Sequence, residues 1–140
     1  MNTLAPHDTA APDAVTPGFA GGRVRIILRL EGLAVFAAAV ACYAYAGFSW
    51  IAFVVFFLVP DLSMLFYFAG PRVGAFGYNL VHTYVLALAA TVLGFLTGAP
   101  VVEAGGIIWI AHIGGDRALG YGLKYPTAFG DTHLGRIGRR

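Results

Sequence analysis

Four long apolar runs separated by short turns set the plan of this chain. They extend over Ile26 to Ala46, Phe48 to Ala69, Val73 to Leu96 and Val101 to Gly122, each close to the roughly 20 residues a helix needs to cross a bilayer core of about 30 Å. Polar and apolar positions do not alternate along them, so the strands of a membrane barrel are a poor fit. Gly47-Phe48-Ser49, Gly70-Pro71-Arg72 and Thr97-Gly98-Ala99-Pro100 punctuate the runs with residues that end helices. The pattern predicts an all-α polytopic membrane protein, a four-helix transmembrane bundle over residues 23–123. A disordered N-terminal tail over 1–22 precedes it, rich in Ala, Pro, Thr and Gly and without periodicity. A cytoplasmic C-terminal tail over 124–140 follows.

Composition supports the membrane class, because 11% charged residues is less than half of the roughly 25% usual in soluble domains. A cleaved signal peptide would set its basic residues directly before a short apolar core. Here Arg23, Arg25 and Arg29 arrive late and lead into a full-length span, so the first span is expected to stay in the mature protein. Cys42 stands alone, which excludes an intrachain disulfide and a thiolate metal cluster.

Charge then orients the bundle. All nine Lys and Arg residues fall before or in the opening turns of the first span, between the second and third, or at and after the end of the fourth, whereas the opposite loops hold only Glu103. The positive-inside tendency makes the basic side cytoplasmic, with both termini on it. Arg136, Arg139 and Arg140 form too short a patch for nucleic acid and suit anionic lipid headgroups. Gly120-Tyr121-Gly122-Leu123-Lys124 lacks the spacing of a phosphate loop, and neither Ser49 nor Ser63 stands in a nucleophile elbow.

The chemistry is expected where ionisable residues interrupt the apolar runs, since such residues are costly at membrane depth and face protein, water or a partner. Asp61, His82 and His112 each fall on the order of 10–15 Å below the cytoplasmic surface, counted at about 1.5 Å per helical residue. Asn79 precedes His82 by three residues and Asp116 follows His112 by four, so each pair shares a helix face. Asn79 and Asp116 are expected closer to the cytoplasm, Glu31 to approach from the first span, and Arg117 to neutralise one of the acids. A polar pocket open to the cytosol results. Plainer roles stand beside these: Asp61 repairing the kink at Pro60, Asn79 tying helices together, and Asp116 with Arg117 as an interfacial ion pair.

The block from Trp109 to Gly135, WIAHIGGDRALGYGLKYPTAFGDTHLG, is denser in Gly, His, Asp and aromatic residues than anything before it. Together with the FSW turn, LVPDLSM around Asp61 and GAFGYNLVH ending at His82, it resembles domain-of-unknown-function family 4260, a family of small bacterial integral membrane proteins. The resemblance runs from about Arg25 to Gly138. It implies a membrane fold and a location in the bacterial inner (cytoplasmic) membrane, and brings no activity and no residue roles. Asp131 and His133 lie within the resembling block and add a second Asp/His pair outside the membrane, for which a cap or interfacial turn is the plain role.

Two chemistries fit the inventory. Imidazole and carboxylate ligands suit zinc, iron or manganese, with Asp61, His82, His112 and Asp116 as ligands and His133 swinging in from the tail. A metal-activated water would then attack a lipid-borne ester or phosphate. Without metal, His112 would act as a general base oriented by Asp116. A proton-linked small-molecule carrier or binding protein uses the same groups differently, and a structural protein would use them only to fix helix register. Gly74, Gly77, Gly94, Gly105 and Gly106 offer close-packing surfaces, for a homodimer or for packing within one chain.

Overall fold

Proline and a histidine cut two of the apolar runs into shorter elements. A computed structural model describes residues 18–138; most of the expected N-terminal tail, with Arg139 and Arg140, lies outside the described residues. The first run forms one helix, α1 (Gly22–Tyr45). The second forms α2 (Trp50–Phe56) and then an 11-residue 3-10 segment, Val59–Ala69. The third is α3 (Pro71–Val81) followed by α4 (Tyr84–Thr97). The fourth is α5 (Pro100–Leu119), closed by Gly120 at φ 97°.

The second and third spans are thus helical but interrupted, the second at the kink expected from Pro60 and the third at His82. Pro60 lacks the N–H that an α-helix would direct to Phe56, and the chain tightens instead, Asp61 N–H donating to Leu58 O at 3.1 Å. Such 3-10 runs rarely exceed three or four residues. This one is held by packing: Gly77 and Gly74 on α3 leave room for the rings of Phe66 and Tyr67. In the third run the helix stops at His82, whose ψ is 18°, and Thr83 is extended at ψ 144°. A break inside an apolar run exposes carbonyls that lipid cannot satisfy. Side chains of α5 take them: Trp109 Nε1 donates to Val81 O at 2.7 Å and Arg117 Nη2 to His82 O at 3.2 Å.

α5 is the central helix, packed along α1 and against α4, with α2 touching it and α3 lying on the 3-10 segment. Three stretches are long and apolar enough to cross a membrane: Gly22–Tyr45, Trp50–Ala69 and Pro71–Thr97, with mean hydropathies of 1.9, 2.2 and 1.8. α5 carries Glu103, Asp116 and Arg117 and buries a full face, from Gly106 to Gly114, against its neighbours. The apolar core is Ala39, Tyr43, Ile107, Ile108 and Ala111, extended by rings from Tyr43 through Phe53 and Phe57 to His112. The outward faces of α1, α2, the 3-10 segment and α4 keep large apolar side chains exposed, as an all-α membrane bundle requires.

After α5 the chain folds back on the bundle. Asp131–Thr132 (β1) pairs antiparallel with Gly135–Arg136 (β2), and Lys124 bridges to Thr132. The residues just before α1 meet this segment: Ala20 N–H donates to His133 O, and Phe19 packs edge-on against Tyr125. Arg29 Nε donates to Ala118 O at 2.8 Å, so the beginning of α1 and the end of α5 share one end of the bundle with the hairpin. The glycines expected to allow close approach do so within the chain, Gly94 against Glu103 and Gly106 against Thr91. Gly105 is the exception, with open space around it.

Candidate metal centre

The two helix breaks and the central helix bring four ligand-type atoms together. Asp61 opens the 3-10 segment, His82 ends α3, and His112 and Asp116 lie one turn apart on α5. Their ligand atoms all lie within 4.8 Å of one another. His82 Nε2 is 3.5 Å from Asp61 Oδ1 and 3.7 Å from Asp116 Oδ2, and His112 Nε2 is 3.6 and 3.8 Å from the same oxygens. The two Nε2 atoms face each other at 3.2 Å. Bonds of about 2.1 Å to a tetrahedral ion separate its ligands by roughly 3.4 Å, and the observed edges bracket that value.

Each ligand is presented by local structure. His82 Nδ1 donates to Tyr78 O at 3.0 Å, which leaves Nε2 of the neutral ring as a lone pair directed into the cluster. The Tyr78 ring stacks on His82 with centroids 3.7 Å apart, and its hydroxyl donates to Asp116 Oδ2 at 3.2 Å. This is the support that metal-binding imidazoles and carboxylates commonly receive. His112 stands edge-on to Phe57, and its Nδ1 is buried without a partner among the described residues. Asp116 thus approaches the same nitrogen, Nε2, that faces His82. At 3.8 Å the two residues form no hydrogen-bonded dyad of the kind expected for a metal-free base.

Charge completes the description. Asp61 and Asp116 face histidines, and no Lys or Arg lies within ion-pair distance of either among the described residues. Two carboxylates withdrawn from bulk water need compensation from a cation or from protons. The nearest candidate cations turn elsewhere. Arg117, expected to neutralise an acid, donates to His82 O and lies 2.7 Å from His133 Nε2. Lys124 is buried, donates to Phe129 O at 2.9 Å and lies over the Phe129 ring at 3.6 Å. Burial lowers its pKa, against the pull of Asp116 and Asp61.

Asp116 joins the layer of Asp61, His82 and His112 instead of sitting nearer the surface. The other residues expected to support the site stand outside the cluster. Asn79 clips the segment after α5, its Oδ1 accepting from Lys124 N–H at 2.7 Å and its Nδ2 donating to Lys124 O at 2.8 Å. Glu31 lies with Arg117 and His133 along a separate crevice of about 200 Å³. Asp131 accepts from Thr127 Oγ1 at 2.7 Å and pairs with Arg136 at 3.1 Å, so it ties the hairpin. His133 does not swing in, because its Nδ1 accepts from Leu123 N–H at 2.8 Å. Sequence reading missed Tyr78 and Trp109. For Tyr78 the signal was present: it precedes His82 by one helical turn, the spacing that lets side chains meet.

His133 makes a prediction of its own. Burial, then the neighbouring Arg117 guanidinium, lowers its pKa below the ordinary 6.5, so the folded state favours the neutral ring. Its contribution to stability is complete above pH 6.5 and is lost as pH falls toward the folded-state pKa. Thermal unfolding of metal-free protein in detergent should show a decline from pH 8 to pH 5. The decline should be shallower in His133→Asn, whose amide oxygen can still accept from Leu123.

The model of the family described as Domain of unknown function (DUF4260) matches residues 25–137. The chain belongs to that family. The match takes in all four ligand-type residues and the hairpin after α5. No curated protein and no solved structure matches the chain.

Proposed function

We propose that this member of the family is a membrane metalloenzyme that hydrolyses a lipid-borne ester or phosphate, with a divalent ion held by Asp61, His82, His112 and Asp116. The observation that carries the reading is the set of four ligand atoms, with 3.5 to 3.8 Å between imidazoles and carboxylates and 3.2 Å between the two imidazoles. Two imidazoles and two carboxylates suit zinc, manganese or iron. The ion would cancel the two unpaired negative charges and draw a water toward hydroxide at neutral pH.

Position supports a lipid-like substrate. His112 precedes the end of α5 by seven residues, about 10 Å along the axis. That end bears the basic residues, and the positive-inside tendency makes it cytoplasmic. In this reading all four rods cross the inner membrane, both termini face the cytosol, and the centre lies just below the inner leaflet's headgroups. A groove of about 490 Å³, lined by Phe56, Val59, Pro60, Ser63, Val81 and Trp109, runs beside it. Pro60 and Val81 directly precede two of the ligands, so an acyl chain in the groove would lie next to the segments that carry them.

Metal analysis of detergent-purified protein tests the reading, paired with product analysis after incubation with mixed vesicles of zwitterionic and anionic phospholipid. The expected result is one divalent ion per chain, cleaved lipid, and loss of both in a folded His82→Ala variant. Protein that stays metal-free in the presence of zinc, manganese and iron would overturn it, and pH-dependent ligand uptake by such protein would favour a proton-linked carrier.

A further inference from the structure

Four protein ligands close a tetrahedral site, whereas a catalytic ion keeps one position for water. If the centre is hydrolytic and its ion tetrahedral, as zinc is, one ligand has to leave, and the four are held unequally. His82 is anchored through Nδ1 to Tyr78 O and stacked on the Tyr78 ring. Asp116 is held by the Tyr78 hydroxyl, and His112 is wedged beside Phe57 in the middle of the central helix. Side-chain exposures follow: 3% for His82, 2% for His112 and 17% for Asp116. Asp61 is 31% exposed. Its carboxylate meets only the two imidazoles, and among the described residues it accepts no hydrogen bond from a backbone or hydroxyl group. It also sits in the first turn of the 3-10 segment, beside Pro60 of the apolar groove.

We infer that Asp61 is the exchangeable ligand of the centre, leaving the ion to open a position for water while His82, His112 and Asp116 stay bound. The inference rests on the metal reading above and adds the order in which the ligands act. Once displaced, the Asp61 carboxylate is within reach of the water that replaces it and takes one of its protons. The water oxygen bonds to the acyl carbon or phosphorus, the ester C–O or P–O bond breaks, and the leaving alkoxide receives the proton from Asp61. One water is consumed, acid and alcohol are formed, and nothing is oxidised or reduced.

Cobalt(II) serves as the probe, because its visible absorption reports coordination number. Purified protein is loaded with Co²⁺ and titrated with azide, alongside the Asp61→Ala, Asp61→Asn and His112→Ala variants. Both Asp61 variants should still bind one Co²⁺ per chain, about 10-fold more weakly than wild type, whereas His112→Ala should lose more than about 100-fold, beyond the range for a supporting group. Azide should shift the spectra of the Asp61 variants at concentrations that leave wild type unchanged. The inference is overturned if either Asp61 variant, folded by circular dichroism, loses Co²⁺ as completely as His112→Ala, or if azide leaves both spectra unmoved. Wild-type protein that takes up no Co²⁺ would overturn the metal reading itself, a result distinct from either.

Discussion

Alanine at His112 is expected to abolish the stabilisation that metal gives this protein. Wild-type chain heated in detergent with zinc at 100 times its dissociation constant should gain about 2.7 kcal/mol over chelator-treated chain, and His112→Ala should gain nothing measurable. The comparison isolates ligation from packing. Removing the ring also forfeits its edge-on contact with Phe57, at 5.4 Å between centroids, and leaves a cavity in the central helix. Those losses lower the melting temperature equally with and without zinc, so the difference between the two conditions reads the ion alone. An unchanged zinc increment in the variant would remove His112 from the centre. Tyr78→Phe offers a graded contrast: it keeps the stack on His82 and loses the hydroxyl on Asp116, which should weaken zinc by about 10-fold, the lower end for a supporting group.

The residues of this cluster and their meeting in one layer were legible in the sequence; the local breaks that present them were not. Asp61, His82, His112 and Asp116 announce themselves because each interrupts an apolar run in which a charge is costly. Counting residues at helical rise put the first three at one depth, and the i to i+4 spacing tied Asp116 to His112. The counting assumed unbroken helices. In the structure, Pro60 turns the second run into a 3-10 segment and the third stops at His82. These irregularities aim two of the four side chains inward.

The same local departures explain the misplaced supporters. Arg117 is a cation beside an acid in sequence, so pairing with a carboxylate was the natural expectation. The break at His82 instead leaves a carbonyl in need of a donor, and Arg117 meets that need at 3.2 Å. Asn79 shares a helix face with His82, but the chain after α5 returns across the bundle end and offers its backbone to the amide. A fold-back of this kind depends on contacts far apart in sequence, such as Ala20 with His133, and leaves no periodic trace. Membrane class, by contrast, is a property of whole segments, and the apolar lengths alone decide it.

The second large effect is expected where α1 and α5 touch through backbone. A Cβ on Gly114 would come within 2.7 Å of Phe36 N and 3.1 Å of Phe36 Cα, with Gly32 O at 3.0 Å. No side chain stands in between to rotate away, so the two helices must separate. Gly32 makes the reciprocal approach, a Cβ there meeting Ala118 N at 2.8 Å and Gly114 O at 2.9 Å. Gly114→Ala should therefore cost about 1–3 kcal/mol, the usual range for overpacking. Gly114→Leu should leave little folded protein in detergent, judged by size-exclusion profile and thermal unfolding. Gly105→Ala is the control on the same helix. Nothing lies within 4 Å of a Cβ at Gly105, and exchanging glycine for alanine inside a helix gains up to about 1 kcal/mol. If the packing of α1 on α5 is as close as described, the two substitutions move stability in opposite directions. Moreover, Gly114 lies only two residues beyond His112, so Gly114→Ala should weaken zinc along with the fold, and Gly105→Ala should leave it unchanged. Equal tolerance of alanine at both positions would mean that the helices stand further apart, and that the His112 imidazole is not fixed by this contact.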